Sequence, residues 1–362
     1  MIEAVSSLVD RAVEEGVFEA AQVALRASRA THDSAHGGLG PARTDRETLF
    51  DVSSLTKVVA TTTLVHRLVS DSALSFEDEV GRFFPEASCR EATIRDLLSH
   101  RSGLPAWRPL FATARSREEV VSAALRAPLE GAPGSERRYS DLGFVVLGAI
   151  LERVTDTRLD ALFSEQVAAP LGLGKTAFRP LPAARAPTDG SRLVVAPTGD
   201  RRPRRPAPGQ EGSYEAGPPV RDAGEVDDDN AWAMGGVAGH AGLFSTAADV
   251  ARWAEAVHEE LAGAGRLGRA EVLAEMAAQG LGFDRPSEEG SSAGAILGRK
   301  GPRGAVGHLG FTGCSVWLDL DRRVSVVLLS NRVHPDRKKE NIRAFRPLFH
   351  DRVMECLLKM ET

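Results

Sequence analysis

The stretch that most constrains the fold lies near the C-terminus of the 362-residue chain. Residues 312–320 and 323–331 are two β-rich runs joined only by Asp321 and Arg322, which is a hairpin spacing. A strand pattern also stands early, over 21–27, where Val23 and Leu25 alternate with smaller residues. A second short strand is expected to end near 50–52, after a Gly-rich polar turn at 33–40. Between these ends the pattern is helical. Helices are expected over 54–69, over 93–99 with Thr93 as its cap, after the Ser116-Arg117-Glu118-Glu119 capping box, over 141–154, and from Thr246 toward Leu261. An amphipathic helix opens the chain, with Ile2, Val5, Leu8, Val9, Ala12 and Val13 on one face, and another is expected over 338–359. Strands at both ends with helices between them imply an α/β (α+β) architecture: an antiparallel sheet built from both chain ends, flanked by helices, with a mostly helical insertion. The expected division is one catalytic unit, with 1–75 and 265–362 as the α/β part and 76–264 as the mainly helical part.

Composition narrows the function classes. With 45 basic against 50 acidic residues the net charge is −5, which excludes a strongly basic nucleic-acid binder. The cysteines, Cys89, Cys314 and Cys356, are odd in number and far apart, and no C-x-x-C pair occurs, so neither a disulfide framework nor a zinc ribbon is implied. Charges interrupt the first fifteen residues, and the longest apolar run, within 142–151, is too short to span a bilayer. The chain therefore reads as a cytoplasmic protein with no membrane partner; a leader removed ahead of residue 1 would place it in the periplasm instead. Residues 180–219 hold nine of the twenty prolines and the cluster Arg201, Arg202, Arg204 and Arg205, and read as a long surface loop. Tyrosine is rare: one of the two, Tyr214, falls in that loop, and the other is Tyr139.

Three short motifs carry chemistry. Ser54-Leu55-Thr56-Lys57 opens a helix, where positions i and i+3 share a face, so Lys57 reaches the Ser54 hydroxyl. A serine needs such a base to become a nucleophile. Tyr139-Ser140-Asp141 follows Pro133-Gly134; its phenol is a proton relay in the making. Gly307-His308-Leu309-Gly310-Phe311 leads into the late hairpin, where glycine lets a substrate lie against the backbone and the amides of Phe311 and Ser54 form an oxyanion hole. Taken singly, each has an ordinary structural explanation as a cap, a core tyrosine or a glycine bulge.

Their order and spacing resemble the active-site-serine, penicillin-recognising superfamily, which includes class C β-lactamases, D-alanyl-D-alanine peptidases and related esterases. The stretches 97–105, 133–148 and 242–247 resemble further parts of that family, so the likeness covers about residues 15–335. It implies that Ser54 is acylated, that Lys57 takes its proton, that Tyr139 is a base or relay, and that His308 and Gly310 line the substrate strand. Two departures stand out. Asp141 occupies a position where the family has Asn, so it accepts but does not donate when ionised, and either holds Lys57 protonated more of the time or binds a different group of the substrate. Leu309 stands where β-lactamases have Thr and offers no hydroxyl to a substrate carboxylate. This favours an ester or amide substrate without that carboxylate over a β-lactam or a D-alanyl-D-alanine peptide, which remain the alternatives, together with a catalytically silent binding protein. The stretch 226–242 resembles a branch linked to cell-wall recycling, which makes a muropeptide a candidate substrate and His240 a candidate contact. No cofactor and no metal is implied. Gly172-Leu173-Gly174-Lys175-Thr176 imitates the end of a phosphate loop, but Ala169 stands where that loop requires glycine.

Overall fold

The computed structural model describes residues 2–28, 30–39, 42–114, 116–179, 194–199, 224–298 and 301–361. Helix α1 (Ile2–Glu14) leads into β1 (Ala20–Ala27), β2 (Ala30–Leu39) and β3 (Ala42–Arg43). After β4 (Phe50–Asp51), a π-helical stretch, Lys57–Thr62, runs into α2 (Thr63–Ser70). Short helices follow, then α3 (Asp141–Thr155), β5 (Ala177–Phe178), β6 (Leu243–Ser245), α4 (Ala247–Leu261) and α5 (Ala270–Gln279). The chain closes with β7 (Ala305–Leu309), β8 (Ser315–Asp319), β9 (Val324–Ser330) and α6 (Ile342–Glu361).

The main sheet is antiparallel, in the order β3-β2-β1-β9-β8-β7, so the first and last long strands pair at its centre, with Ala21 opposite Ser330. Central strand β9 is buried along its whole length because both faces are covered. Val326 and Leu328 join Phe18, Val23, Phe345 and Phe349 in a core under α1 and α6. Val327 and Leu329 point the other way, into the larger core that contains Trp253 of α4 and the apolar face of α3. Folding buries each of these side chains for about 1.5–3 kcal/mol. A small second sheet, β4-β6-β5, ties the segment before Ser54 to the Gly-rich segment before α4.

This is the antiparallel, helix-flanked α/β architecture that the sequence implies. Its helix starts also follow the sequence: Thr93, Ser116 and Thr246 each accept an N-terminal amide, and Thr93 forms a reciprocal box with Asp96. Two expectations change. Residues 33–40, expected as a turn, belong mostly to β2, which pairs with β1 from Ala27↔Ala30 to Ala20↔Gly37. The polar run has little strand propensity of its own, and the backbone partner imposes the conformation. Helix α4 packs on β1 and β9, so it belongs with the sheet and not with the helical insertion ending at 264. The arginine cluster at 201–205 and Tyr214 lie outside the described residues.

Two glycine contacts set the approach of segments to the active serine. A Cβ on Gly239 would meet the Phe144 carbonyl at 2.1 Å, so the Gly-rich segment lies directly on α3. A Cβ on Gly310 would meet the Val52 carbonyl at 2.6 Å, so the end of β7 lies directly on the turn before Ser54. Among the described residues no helix is long and apolar enough to cross a membrane.

Candidate active site

Ser54 sits at the N-terminal end of the buried helix that continues through the π-helical stretch into α2. Ser53, just before it, has φ 54, a left-handed conformation uncommon for a residue with a side chain. Asp51 Oδ1 accepts the Ser53 amide at 2.8 Å, and the helix begins at Leu55. Lys57 is fully buried. Three oxygens surround its ammonium: Asp141 Oδ1 at 2.7 Å, Ser54 Oγ at 2.9 Å and the His240 carbonyl at 3.1 Å. Burial opposes the charge, but the Asp141 carboxylate and the Tyr139 phenol outweigh it, and the lysine is held above its usual range. Lys57 is therefore an ammonium in the resting protein.

Tyr139 lies just before α3, whose cap is Ser140: its Oγ accepts the Gly143 amide at 3.1 Å and donates to the Pro105 carbonyl at 2.6 Å. The ring is 36% exposed at the cleft wall, and its hydroxyl interacts with both Lys57 and Ser54. Burial of that hydroxyl pushes the phenol above its usual range, so it rests protonated. His100 fixes the tyrosine from behind. Its ring lies against Tyr139 with centroids 4.5 Å apart, and its Nδ1 accepts the Ser140 amide at 3.0 Å. Burial, with Lys57 nearby, holds this imidazole well below its usual range and hence neutral.

The structure thus brings Ser54, Lys57, Tyr139 and Asp141 together. The other expected residues sit differently. The His308 ring is 2% exposed and lies behind Tyr139, with centroids 6.0 Å apart. Its Nδ1 donates to the Leu309 carbonyl at 2.9 Å, so the ring supports the strand and does not line the cleft. Burial lowers its pKa against the opposing pull of Asp284. Leu309, Gly310 and Phe311 do line the cleft. The Phe311 amide, expected to be free for an oxyanion, donates to Ser53 Oγ at 3.1 Å, which a substrate carbonyl must displace. The His240 side chain is 1% exposed and hydrogen-bonds Asp228 Oδ1 at 2.9 Å; only its backbone carbonyl reaches the site.

The cleft encloses about 590 Å³. Ser53, Ser54, Tyr139 and Asp141 form its floor. Trp107, 40% exposed, and Phe311, 47% exposed, are aromatic surfaces at its walls. Asp227, Asp228, Asp229, Arg332, Arg337 and Arg343 also line it, and Arg332 and Arg337 lie over the Phe311 ring at 4.3 and 4.9 Å. Arg337 pairs with Asp227 at 2.8 Å, and Arg332 spans Phe311 and the carbonyls of Arg337 and Lys339. Sequence reasoning gave no role to Asp51, Ser53, His100, Trp107 or these arginines. Their signals are a backbone angle and long-range hydrogen bonds, which no local motif encodes. Among the described residues no group of three or more metal-ligating side chains converges.

A protein of Escherichia coli (strain K12) named "Putative D-alanyl-D-alanine carboxypeptidase" is 31% identical over 325 residues, covering 81% of this chain and 71% of that one. Two solved structures share the fold. EstCE1, described as a hydrolase with promiscuous acyltransferase activity, has a TM-score of 0.72 at 22% identity over 96% of this chain and 98% of its own. The D-amino acid amidase of Ochrobactrum anthropi SV3 has a TM-score of 0.71 at 20% identity over 100% of both chains. The family model named Beta-lactamase matches residues 5–348. On that match over most of its length, this chain belongs to the Beta-lactamase family.

Proposed function

We propose that this chain is a serine hydrolase that cleaves an ester or amide through an acyl group on Ser54. The observation that carries the reading is Ser54 Oγ lying 2.9 Å from the Nζ of a fully buried lysine that also touches Asp141 at 2.7 Å. In the resting protein Lys57 holds a proton and cannot accept another. A substrate that displaces water from the cleft lowers the local dielectric, which favours a neutral pair over an ion pair. One proton then moves from Lys57 to Asp141, and the freed amine takes the Ser54 proton as Oγ attacks the carbonyl carbon. The oxyanion takes the Phe311 amide from Ser53. Collapse breaks the bond to the leaving group, which receives a proton through the Tyr139 phenol. Water enters by the reverse proton path, splits the acyl ester and restores Ser54.

The substrate class follows from the lining: Trp107 and Phe311 suit a ring or flat acyl group, and the charged lining residues suit a peptide-like remainder, as in a muropeptide. A second reading is a peptidase for a substrate with a free carboxylate. It is favoured by Arg332, Arg337 and Arg343, which line the cleft and offer a substrate carboxylate the contacts that Leu309, without a hydroxyl, does not. It fits the name of the E. coli relative.

The test is intact-mass spectrometry after exposure to a fluorophosphonate, a chromogenic ester and muropeptides with and without a terminal carboxylate. A single adduct on Ser54, absent from Ser54→Ala, is expected, with turnover falling by at least about 10³-fold. Equal labelling of Ser54→Ala would remove Ser54 from the mechanism.

A further inference from the structure

Asp51 lies beneath the nucleophile turn, 1% exposed. Its two carboxylate oxygens have separate partners: Oδ1 accepts the Ser53 amide at 2.8 Å, and Oδ2 accepts the Asp227 amide at 2.6 Å. Its backbone carbonyl accepts the Thr312 hydroxyl at 2.7 Å and the Cys314 thiol at 3.7 Å. One residue thus joins the turn before Ser54, the acidic wall of the cleft and the segment that carries the Phe311 amide. The turn needs the support. A serine at φ 54 persists only where its surroundings hold it. The same turn sets where Ser53 Oγ meets the Phe311 amide.

We propose that Asp51 is a positioning residue for acylation: its carboxylate holds the left-handed turn at Ser53, and through it aims the Ser54 hydroxyl and the Phe311 amide at one point of the cleft. The proposal rests on Ser54 being the nucleophile. The clamp works only as a carboxylate. Two amide hydrogens converge on it from different sides, and an ionised carboxyl accepts both. An asparagine presents a donor toward one of them and loses that bond; a protonated carboxyl offers there only its hydroxyl oxygen, a much poorer acceptor, and the hold weakens.

The groups facing Asp51 make this proton consequential. Asp227 and Asp228 approach from the acidic wall, the Cys314 thiol from the β7–β8 connection, and Arg337 stands beyond Asp227 at 2.8 Å. Burial pushes the carboxyl up to about 7; the neighbouring carboxylates add to this, and the two amides oppose it. The sign follows. Above about 7 both amides are held and the turn is set; as pH falls through about 7 one bond weakens and acylation slows.

The experiment measures the rate of Ser54 labelling by a fluorophosphonate from pH about 5.5 to about 8.5 in wild type, Asp51→Asn, Ser53→Gly and the double variant. Labelling of wild type that disappears in Ser54→Ala is the precondition; its failure would refute the nucleophile and not the clamp. In wild type the rate should fall on the acid side of about 7. Asp51→Asn should lose this limb and label about 10- to 100-fold more slowly at high pH, as a misplaced nucleophile does. Glycine takes positive φ without strain, so Asp51→Asn in the Ser53→Gly background should recover most of the rate relative to Ser53→Gly alone. An Asp51→Asn protein that labels at the wild-type rate with the wild-type limb overturns the proposal. If that variant does not fold, the wild-type profile decides: a rate flat across the range overturns it as well.

Discussion

At the scale of single residues, the site is decided by which atom holds which proton. Lys57 rests charged because Asp141 lies 2.7 Å away, so the family's usual asparagine at that position is a different electrostatic choice. Asp141→Asn removes the counter-charge while burial of the lysine remains, so the ammonium titrates below the ordinary lysine value of about 10.4. The expected result is a second rising limb on the alkaline side of the rate profile, absent in wild type, together with a lower rate at neutral pH. A profile with the wild-type shape would show that Asp141 takes no proton from Lys57. Ser54, Lys57 and Tyr139 were legible in the sequence because their spacing is itself the signal. Asp51 and His100 were not. An aspartate two residues before a turn has many readings, and a histidine under a tyrosine has meaning only through a contact with a residue forty positions away.

At the scale of elements, strand ends and helix starts bring those residues together. Gly310 is where β7 touches the nucleophile turn, and the added methyl of Gly310→Ala has the Val52 carbonyl at 2.6 Å and Cys314 Cβ at 3.0 Å to meet. Overpacking of this kind costs about 1–3 kcal/mol, and the shift falls on the Phe311 amide. The variant should therefore lose more in acylation rate than its urea midpoint alone explains. Gly174→Ala, with nothing within 4 Å of the new methyl, is the matched control and should leave both unchanged. Helices were readable from their caps and β9 from its apolar run, because those are local rules. Strand β2 was not, since Thr31, His32, Asp33 and Ser34 become a strand only by pairing with β1.

At the scale of the whole molecule, buried imidazoles set the response to acid. Burial pulls His258 down to about 4, and burial with Arg346 nearby pulls His350 down to about 3. Both values lie below the unfolded value of about 6.5, so this stability is present above about 6.5 and is lost as pH falls toward about 4 and about 3. Each residue contributes a slope of at most about 1.4 kcal/mol per pH unit in its window. Asp51, raised to about 7, acts the other way between about 4 and about 7, and one carboxyl does not offset two imidazoles. The melting temperature should fall from pH about 6.5 to about 5, and His350→Asn should flatten the slope. A steepness unchanged in that variant would assign the acid response to other groups.

The central pairing of β1 with β9 also has a consequence for how the chain is made. The Ala20 amide finds the Asn331 side chain at 2.9 Å across 311 positions of sequence. The first strands leave the ribosome long before their partner exists. The nascent β1–β2 hairpin must wait with an open edge while the helical middle is translated, and an unpaired edge is the part of a sheet most open to wrong partners. That edge is β1, not the hydrophilic β2, and its Ala20, Ala21, Val23 and Leu25 are apolar. The half of the sheet made first is therefore open to wrong pairings along an apolar strand until residue 331 arrives.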